Sequence, residues 1–133
     1  LVLAQSLVDS ALISTGMSWA MPMLADQTPL IALIIIFFLT LALTELVTNN
    51  AAAALVFPIG YGLAQSLNVD VVPFGLAVAF AASGSFLTPY GYATNLIVQN
   101  IGGYTRSDYL RFGFPISLAY SVGILSMLKL TYF

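Results

Sequence analysis

The sequence predicts an all-α membrane protein, and three observations carry that expectation. Of its 133 residues, 60% are hydrophobic and 6% are charged, whereas a soluble domain carries roughly 25% charged residues. Three basic and five acidic side chains cannot clothe a folded chain of this size, so most of its outside must face lipid. The run IALIIIFFLTLAL at 31–43 holds no charge before Glu45, and at about 1.5 Å per residue a helix there covers much of a bilayer core. Finally, polar and helix-breaking residues are gathered into a few short stretches between apolar ones.

The same composition excludes much chemistry. With no cysteine and no histidine, disulfides, zinc sites, thiolate nucleophiles and histidine bases are ruled out. Three basic residues make no patch for nucleic acid. Ser83-Gly84-Ser85 matches neither a nucleophile elbow nor a phosphate loop, so neither an enzyme activity nor a cofactor is expected.

The elements follow in order. Leu3, Leu7, Val8, Ala11 and Leu12 recur at helical spacing, Gly16 suits a C-cap and Trp19 a membrane interface. Residues 1–28 are therefore expected to be the end of one helix and an interfacial segment. The chain starts inside this apolar run without an initiating Met, so 1–133 is expected to be one membrane domain, the C-terminal part of a larger protein. Asp26-Gln27-Thr28-Pro29 signals a loop and a helix start. Residues 29–67 read as a helical hairpin, with the turn Thr48-Asn49-Asn50 and an alanine-rich second arm containing Pro58. The run Ile34-Ile35-Ile36 suits a strand, but the length of continuous apolar sequence favours a helix. Such a hairpin either spans twice or is re-entrant, entering and returning from one side; both leave the chain on the side it started from.

After a loop at Asn68-Val69-Asp70, residues 73–101 read as a broken helix. Pro89 lacks an N–H and obstructs a helix, and Gly84 and Gly91 weaken helicity around it. The apolar flanks at 74–82 and 96–101 are each too short to span, while together with the break they make one crossing length. Residues 102–111 are polar and read as a loop into the last helix at 109–132, with Lys129 placed to snorkel. Arg106 and Arg111 in one short loop put that loop in the cytoplasm by the positive-inside rule and carry Phe133 to the outer side.

Lipid cannot satisfy backbone polar groups, so polar, broken sequence at membrane depth must be buried in protein or line a wet cavity. Two places qualify. At 44–50 the end of the first arm offers carbonyls to a cation and the start of the second offers N–H groups to an anion, while Asn49 and Asn50 can donate and accept. The same residues also suit a plain turn in water, so both readings stand. At 83–95, Ser83, Ser85, Thr88, Thr94 and Asn95 supply hydroxyls and an amide. That is the pattern of a discontinuous helix in a secondary transporter, against the alternative of two surface helices joined by a loop. Glu45 is either a functional carboxylate within the membrane or a solvated residue near a hairpin end. Tyr90, Tyr92 and Tyr104 suit stacking on a ligand or anchoring at an interface.

At these two places the chain resembles the divalent anion–sodium symporter family of sulfate and dicarboxylate carriers. LTELVTNNAAAALVFPIG is similar to the family's second Ser-Asn-Thr hairpin tip, AASGSFLTPYGYATNLIV to its helix break, and GGYTRSDYLRFGFPISL to its loop into the last helix. The resemblance implies the second of two inverted repeats, a homodimer of the complete transporter, an elevator motion, and sodium as coupling ion for a small anionic substrate. It implies sodium at Thr44 and Asn49 with the carbonyl of Val47 and the backbone of Gly91. It also implies the anion at Asn49, Asn50, Tyr92 and Ala93, and Thr48, Thr94 and Asn95 beside them are expected to join it. The apolar arm before the 48–50 turn and the apolar run at 51–55 after it predict that this turn lies buried near mid-membrane. Thr48 and Asn50 depart from the strict Ser-Asn-Thr triplet, and Ala93-Thr94 stands where the family often has Pro-Pro. The plasma (inner) membrane is the expected location. The alternatives are an arsenite or sodium–proton carrier, or a non-transporting membrane subunit.

Reporter fusions at Gly103 and after Phe133 of the complete protein are expected to read out on opposite sides, cytoplasmic and outer respectively. Readouts on the same side would mean that the last helix does not span.

Overall fold

The computed structural model describes residues 27–133 together with Ser18; the helix end and interfacial segment expected around Gly16 and Trp19 lie outside these residues. All regular structure among the described residues is helical, in the order α1 Pro29–Thr44, α2 Asn49–Ser66, α3 Val72–Ala82, α4 Ala93–Gly102 and α5 Arg106–Tyr132.

Helix α1 begins with Pro29 in its first turn, where a missing N–H leaves no bond unmade. The Ile34-Ile35-Ile36 run is helical, and the Thr40 hydroxyl donates to the Ile36 carbonyl at 2.7 Å. Ala32, Leu33, Ile36, Phe37, Thr40, Leu41 and Thr44 form its buried face. Ile31, Ile35, Phe38 and Leu39 lie on the other side, 39–47% exposed, so α1 is apolar all round, as suits a helix facing lipid or more protein. Helix α2 starts at Thr48, whose hydroxyl accepts the Ala51 N–H at 3.4 Å, and it continues through Pro58. The left-handed Asn68 (φ 55°) turns the chain after it, and the Asp70 side chain then accepts the Val72 N–H at 2.9 Å to open α3.

Helix α3 is the hub, packed against α1, α2 and α5. It buries Pro73, Phe74, Ala77, Val78, Ala81 and Ala82. Its alanines allow close approach, and Phe37, Phe74, Leu33, Ile36, Leu63 and Val56 fill the space between the helices. By contrast, α4 buries no residue. It stands beside α5 over a cavity of about 560 Å³ lined in part by Val98, Tyr104, Tyr109 and Phe112.

The last helix starts earlier than the sequence predicts. Helix α4 runs to Gly102, Gly103 takes a left-handed φ of 65°, and α5 opens at Arg106 rather than 109. The reason is a capping box: the Asp108 carboxylate accepts the Thr105 N–H at 2.8 Å, and the Thr105 hydroxyl accepts the Asp108 N–H at 3.3 Å. Arg106 and Arg111 therefore sit on the first two turns of α5 and not in a long loop. With 27 residues, α5 is about 40 Å long. Among the described residues it is the helix long and apolar enough to cross a membrane. With 16 and 11 residues, α1 and α3 are about 24 and 16 Å long, short of the roughly 30 Å hydrocarbon core.

Helix α5 rests on the break between α3 and α4. Gly113 is buried, and a Cβ there would run into the carbonyl group of Phe86. The Tyr120 hydroxyl donates to the Phe80 carbonyl at 2.8 Å. Gly113→Ala is expected to lower thermal stability of the complete protein in detergent. A clash with backbone, which cannot swing aside, belongs in the upper part of the about 1–3 kcal/mol that overpacking costs, above the roughly 1 kcal/mol of helix propensity gained. Gly123→Ala, with nothing within 4 Å of the new Cβ, should melt no lower than wild type. Equal melting of the two variants would mean that α5 does not depend on its contact with Phe86.

Candidate ion and anion site

The break spans residues 83–92, and its first half is held by one side chain. Glu45 is 6% exposed and lies one residue past α1. One carboxylate oxygen accepts the N–H groups of Phe86 and Leu87 at 2.8 and 2.9 Å. The other accepts the Thr88 N–H at 2.8 Å and the Ser85 hydroxyl at 3.2 Å. The Thr88 hydroxyl in turn donates to the Glu45 carbonyl at 2.8 Å. Successive backbone N–H groups form a concavity suited to an anion, and here the protein supplies its own. The sequence left Glu45 between an active carboxylate and a solvated one; in the structure it is buried and committed to the loop.

Asn95 closes the same loop from the other side. Its amide donates to the Ser85 carbonyl at 3.2 Å and reaches the Thr88 carbonyl at 3.5 Å. The Tyr109 hydroxyl donates to the Asn95 carbonyl at 2.7 Å and joins α5 to the start of α4. Three of the loop's N–H groups thus go to Glu45 and two of its carbonyls to Asn95, the kind of internal partner that a break among apolar helices needs.

Beside this loop, four helix ends meet. The buried Thr44 ends α1, and its hydroxyl donates to the carbonyl of Ala82, the last residue of α3, at 2.7 Å. Its oxygen also lies 3.1 Å from the Asn49 side-chain oxygen at the start of α2. A hydroxyl has one hydrogen, and the shorter contact takes it. The Thr44–Asn49 pair is then relieved either by an amide turned to donate or by a cation lying against both oxygens. Gly91 is buried, and a Cβ there would strike the Ser85 hydroxyl and lie 2.7 Å from the Thr44 carbonyl oxygen. Only glycine lets the second half of the break come this close. Two residues on, α4 begins after Tyr92, which makes no side-chain cap.

Of the residues expected at a cation, Thr44, Asn49 and Gly91 are thus brought together, and Val47 follows in the turn, 37% exposed. Of those expected at an anion, Thr48, Asn50, Tyr92, Ala93 and Thr94 are exposed and Asn49 is half-buried. The 48–50 turn is therefore not buried within this chain; burial falls on Thr44 and Glu45, because the break packs there. Asn95 is half-buried, with its amide directed at loop carbonyls. Tyr90 and Tyr104 are about half exposed, and Tyr90 accepts a hydrogen bond from Arg106. The sequence placed Ser85 among the hydroxyls of the break without a partner for it, and gave no role to the Ala82 carbonyl. Ser85 carried only the weak signal of a hydroxyl beside Gly84, and a backbone carbonyl carries none.

The sodium:sulfate symporter transmembrane region, as a family, matches residues 1–132. The chain belongs to this family. Sodium:sulfate symporters are transporters and not enzymes, and the chain is part of an integral membrane protein. An uncharacterized transporter of Synechocystis sp. is 40% identical over 102 residues, covering 76% of this chain and 17% of that protein. Sodium/sulfate cotransporter 1 of Chlamydomonas reinhardtii is 36% identical over 87 residues, 65% of this chain and 10% of that protein. An uncharacterized transporter of Escherichia coli is 34% identical over 83 residues, 62% and 14% respectively. The chain thus spans 10–17% of the length of these relatives. Membership in the sodium:sulfate symporter family sets aside the arsenite and sodium–proton carrier alternatives.

The Glu45 clamp makes a direct prediction. Glu45→Gln replaces an accepting oxygen with an NH₂ group turned toward N–H donors, and losing a buried acceptor costs about 1–3 kcal/mol. The variant of the complete protein should unfold at lower temperature or denaturant than wild type, and Glu45→Ala, which strands three N–H groups, should fall further. Wild-type stability in Glu45→Gln would show that the carboxylate does not hold the break.

Proposed function

We propose that this chain is the second inverted repeat of a sodium-coupled transporter for a small divalent anion, sulfate or dicarboxylate, and supplies half of its binding site. The observation that carries the reading is the meeting of helix ends at Thr44, Ala82, Asn49 and Gly91. The carbonyl ends of α1 and α3 carry partial negative charge, and the N-termini of α2 and α4 partial positive charge. A cation on the first pair and an anion on the second is the arrangement of discontinuous helices in secondary transporters.

Sodium is held by the Thr44 hydroxyl, the Asn49 side-chain oxygen, the Val47 carbonyl and the backbone at Gly91. These are neutral hard oxygens, fitted to a hard cation, and Glu45 is already committed to the break. The anion lies at Thr48, Asn49, Asn50, Tyr92, Ala93 and Thr94, against the first turns of α2 and α4. Asn95 acts there by positioning the break and not by touching the anion. The shortness of α1 supports a re-entrant hairpin, and α3, the break and α4 serve as one crossing. The exposed 48–50 turn supports a site completed by the remainder of the polypeptide. The complete protein works as a homodimer in the plasma (inner) membrane by alternating access, an equilibrium that ion and anion shift by binding one state better than the other.

Asn49→Ala tests the reading in the complete transporter reconstituted in liposomes. Removing this half-buried oxygen costs about 1–3 kcal/mol, or roughly 5- to 150-fold in affinity. Sodium activation of anion uptake should weaken on that scale, and anion affinity with it through linkage. Asn68→Gly, which suits the left-handed turn at that loop position, should change neither. Wild-type sodium dependence in Asn49→Ala would remove Asn49 from the ion site and the sodium-coupled reading with it.

A further inference from the structure

We infer that Arg106, on the last helix, is a positioning residue for the cation site and acts through Tyr90; the inference rests on the sodium site proposed above. A guanidinium nitrogen of Arg106 donates to the Tyr90 hydroxyl at 2.8 Å. Its central carbon also lies over the ring, 5.8 Å from the centroid, so a hydrogen bond from a charged donor is joined by a cation–π contact. The donor end is located by the Thr105–Asp108 capping box, which places Arg106 at the first position of α5.

The acceptor end lies where packing is the break's other hold. Glu45 grips residues 85–88 and Asn95 binds the carbonyls of Ser85 and Thr88. Among the described residues, the hydrogen bond from outside that reaches 89–92, apart from the first turn of α4 itself, is that of Arg106 to Tyr90. Pro89 and Gly91 on either side are buried, while the Tyr90 ring is 48% exposed. Packing therefore leaves the ring's direction open, and the hydrogen bond sets it. One residue further, Gly91 abuts Ser85 and the Thr44 carbonyl. Through this tether α5 holds the glycine against the oxygens that would take the ion.

Without the tether, residues 89–92 sample positions in which Gly91 has left Thr44, and only a fraction of molecules is ready for sodium. The half-saturation concentration then rises by the inverse of that fraction, while saturating sodium restores the ready form and the maximal rate. This split separates positioning from a general loss of fold.

The test is sodium-dependent uptake of sulfate or a dicarboxylate, whichever the wild type carries, by the complete transporter in liposomes. The proteins are wild type, Arg106→Ala, Tyr90→Phe and the double variant. Each single variant is expected to raise the sodium half-saturation roughly two- to tenfold at unchanged maximal rate, and the double no further than the larger single. Arg106→Lys, which keeps a charged donor, should recover most of the shift. Arg111→Ala removes the same charge on the next turns, where its side chain lies against Phe112, and should shift nothing. Multiplying shifts in the double variant, an equal shift in Arg111→Ala, or a lowered maximal rate at unchanged half-saturation would overturn the inference alone. Sodium-independent uptake by wild type would instead overturn the sodium site beneath it and this inference with it.

Discussion

The structure around the break depends on one carboxylate. A helix interrupted among apolar helices leaves N–H groups with no intrahelical acceptor, and lipid offers none. Glu45 takes three of them and a hydroxyl. Burying a charge is expensive unless it is paired or fully hydrogen-bonded, and this one has both oxygens occupied. Because Glu45 directly follows Thr44, the contact that folds the break also fixes the end of α1 against it. The order of residues 85–88 and the seating of Thr44 beside the break are consequences of the same interaction.

Small residues make that arrangement possible. The alanines of α3 let α1 and α2 close around it, Gly113 lets α5 approach the Phe86 carbonyl, and Gly91 lets the second half of the break reach Thr44. A side chain at Gly91 or Gly113 would run into Ser85 and the Thr44 carbonyl, or into the Phe86 carbonyl, and push these elements apart. The polar links across α5, from Tyr120 to Phe80 and from Tyr109 to Asn95, then tie the long helix to both sides of the break. Helix α4, which buries nothing, is located by its polar ties and not by packing.

The outer faces complete the picture. Apolar residues of α1 and α5 such as Ile35, Phe38, Leu118 and Val122 are exposed on this chain, as expected where lipid or further protein replaces water. The turn at 48–50 and the start of α4 are exposed too, and they carry the polar groups. The chain covers 10–17% of its relatives' length.

Much of this was legible in the sequence. Composition fixed the all-α membrane class, because so few charges cannot face water. Continuous apolar runs and Pro89 located the hairpin and the break, because backbone chemistry is local. The Thr44, Asn49 and Gly91 cluster followed from family resemblance and not from spacing. Other features were decided only by the tertiary structure. The early start of α5 turned on a reciprocal cap between Thr105 and Asp108, which looks like loop polarity when read in line. Asn95 was expected at an anion, yet its amide faces loop carbonyls seven and ten residues back. The role of Glu45 was open because its partners lie 40 to 43 residues away. A carboxylate's environment is set by what folds against it, and no local pattern records which distant N–H groups will arrive.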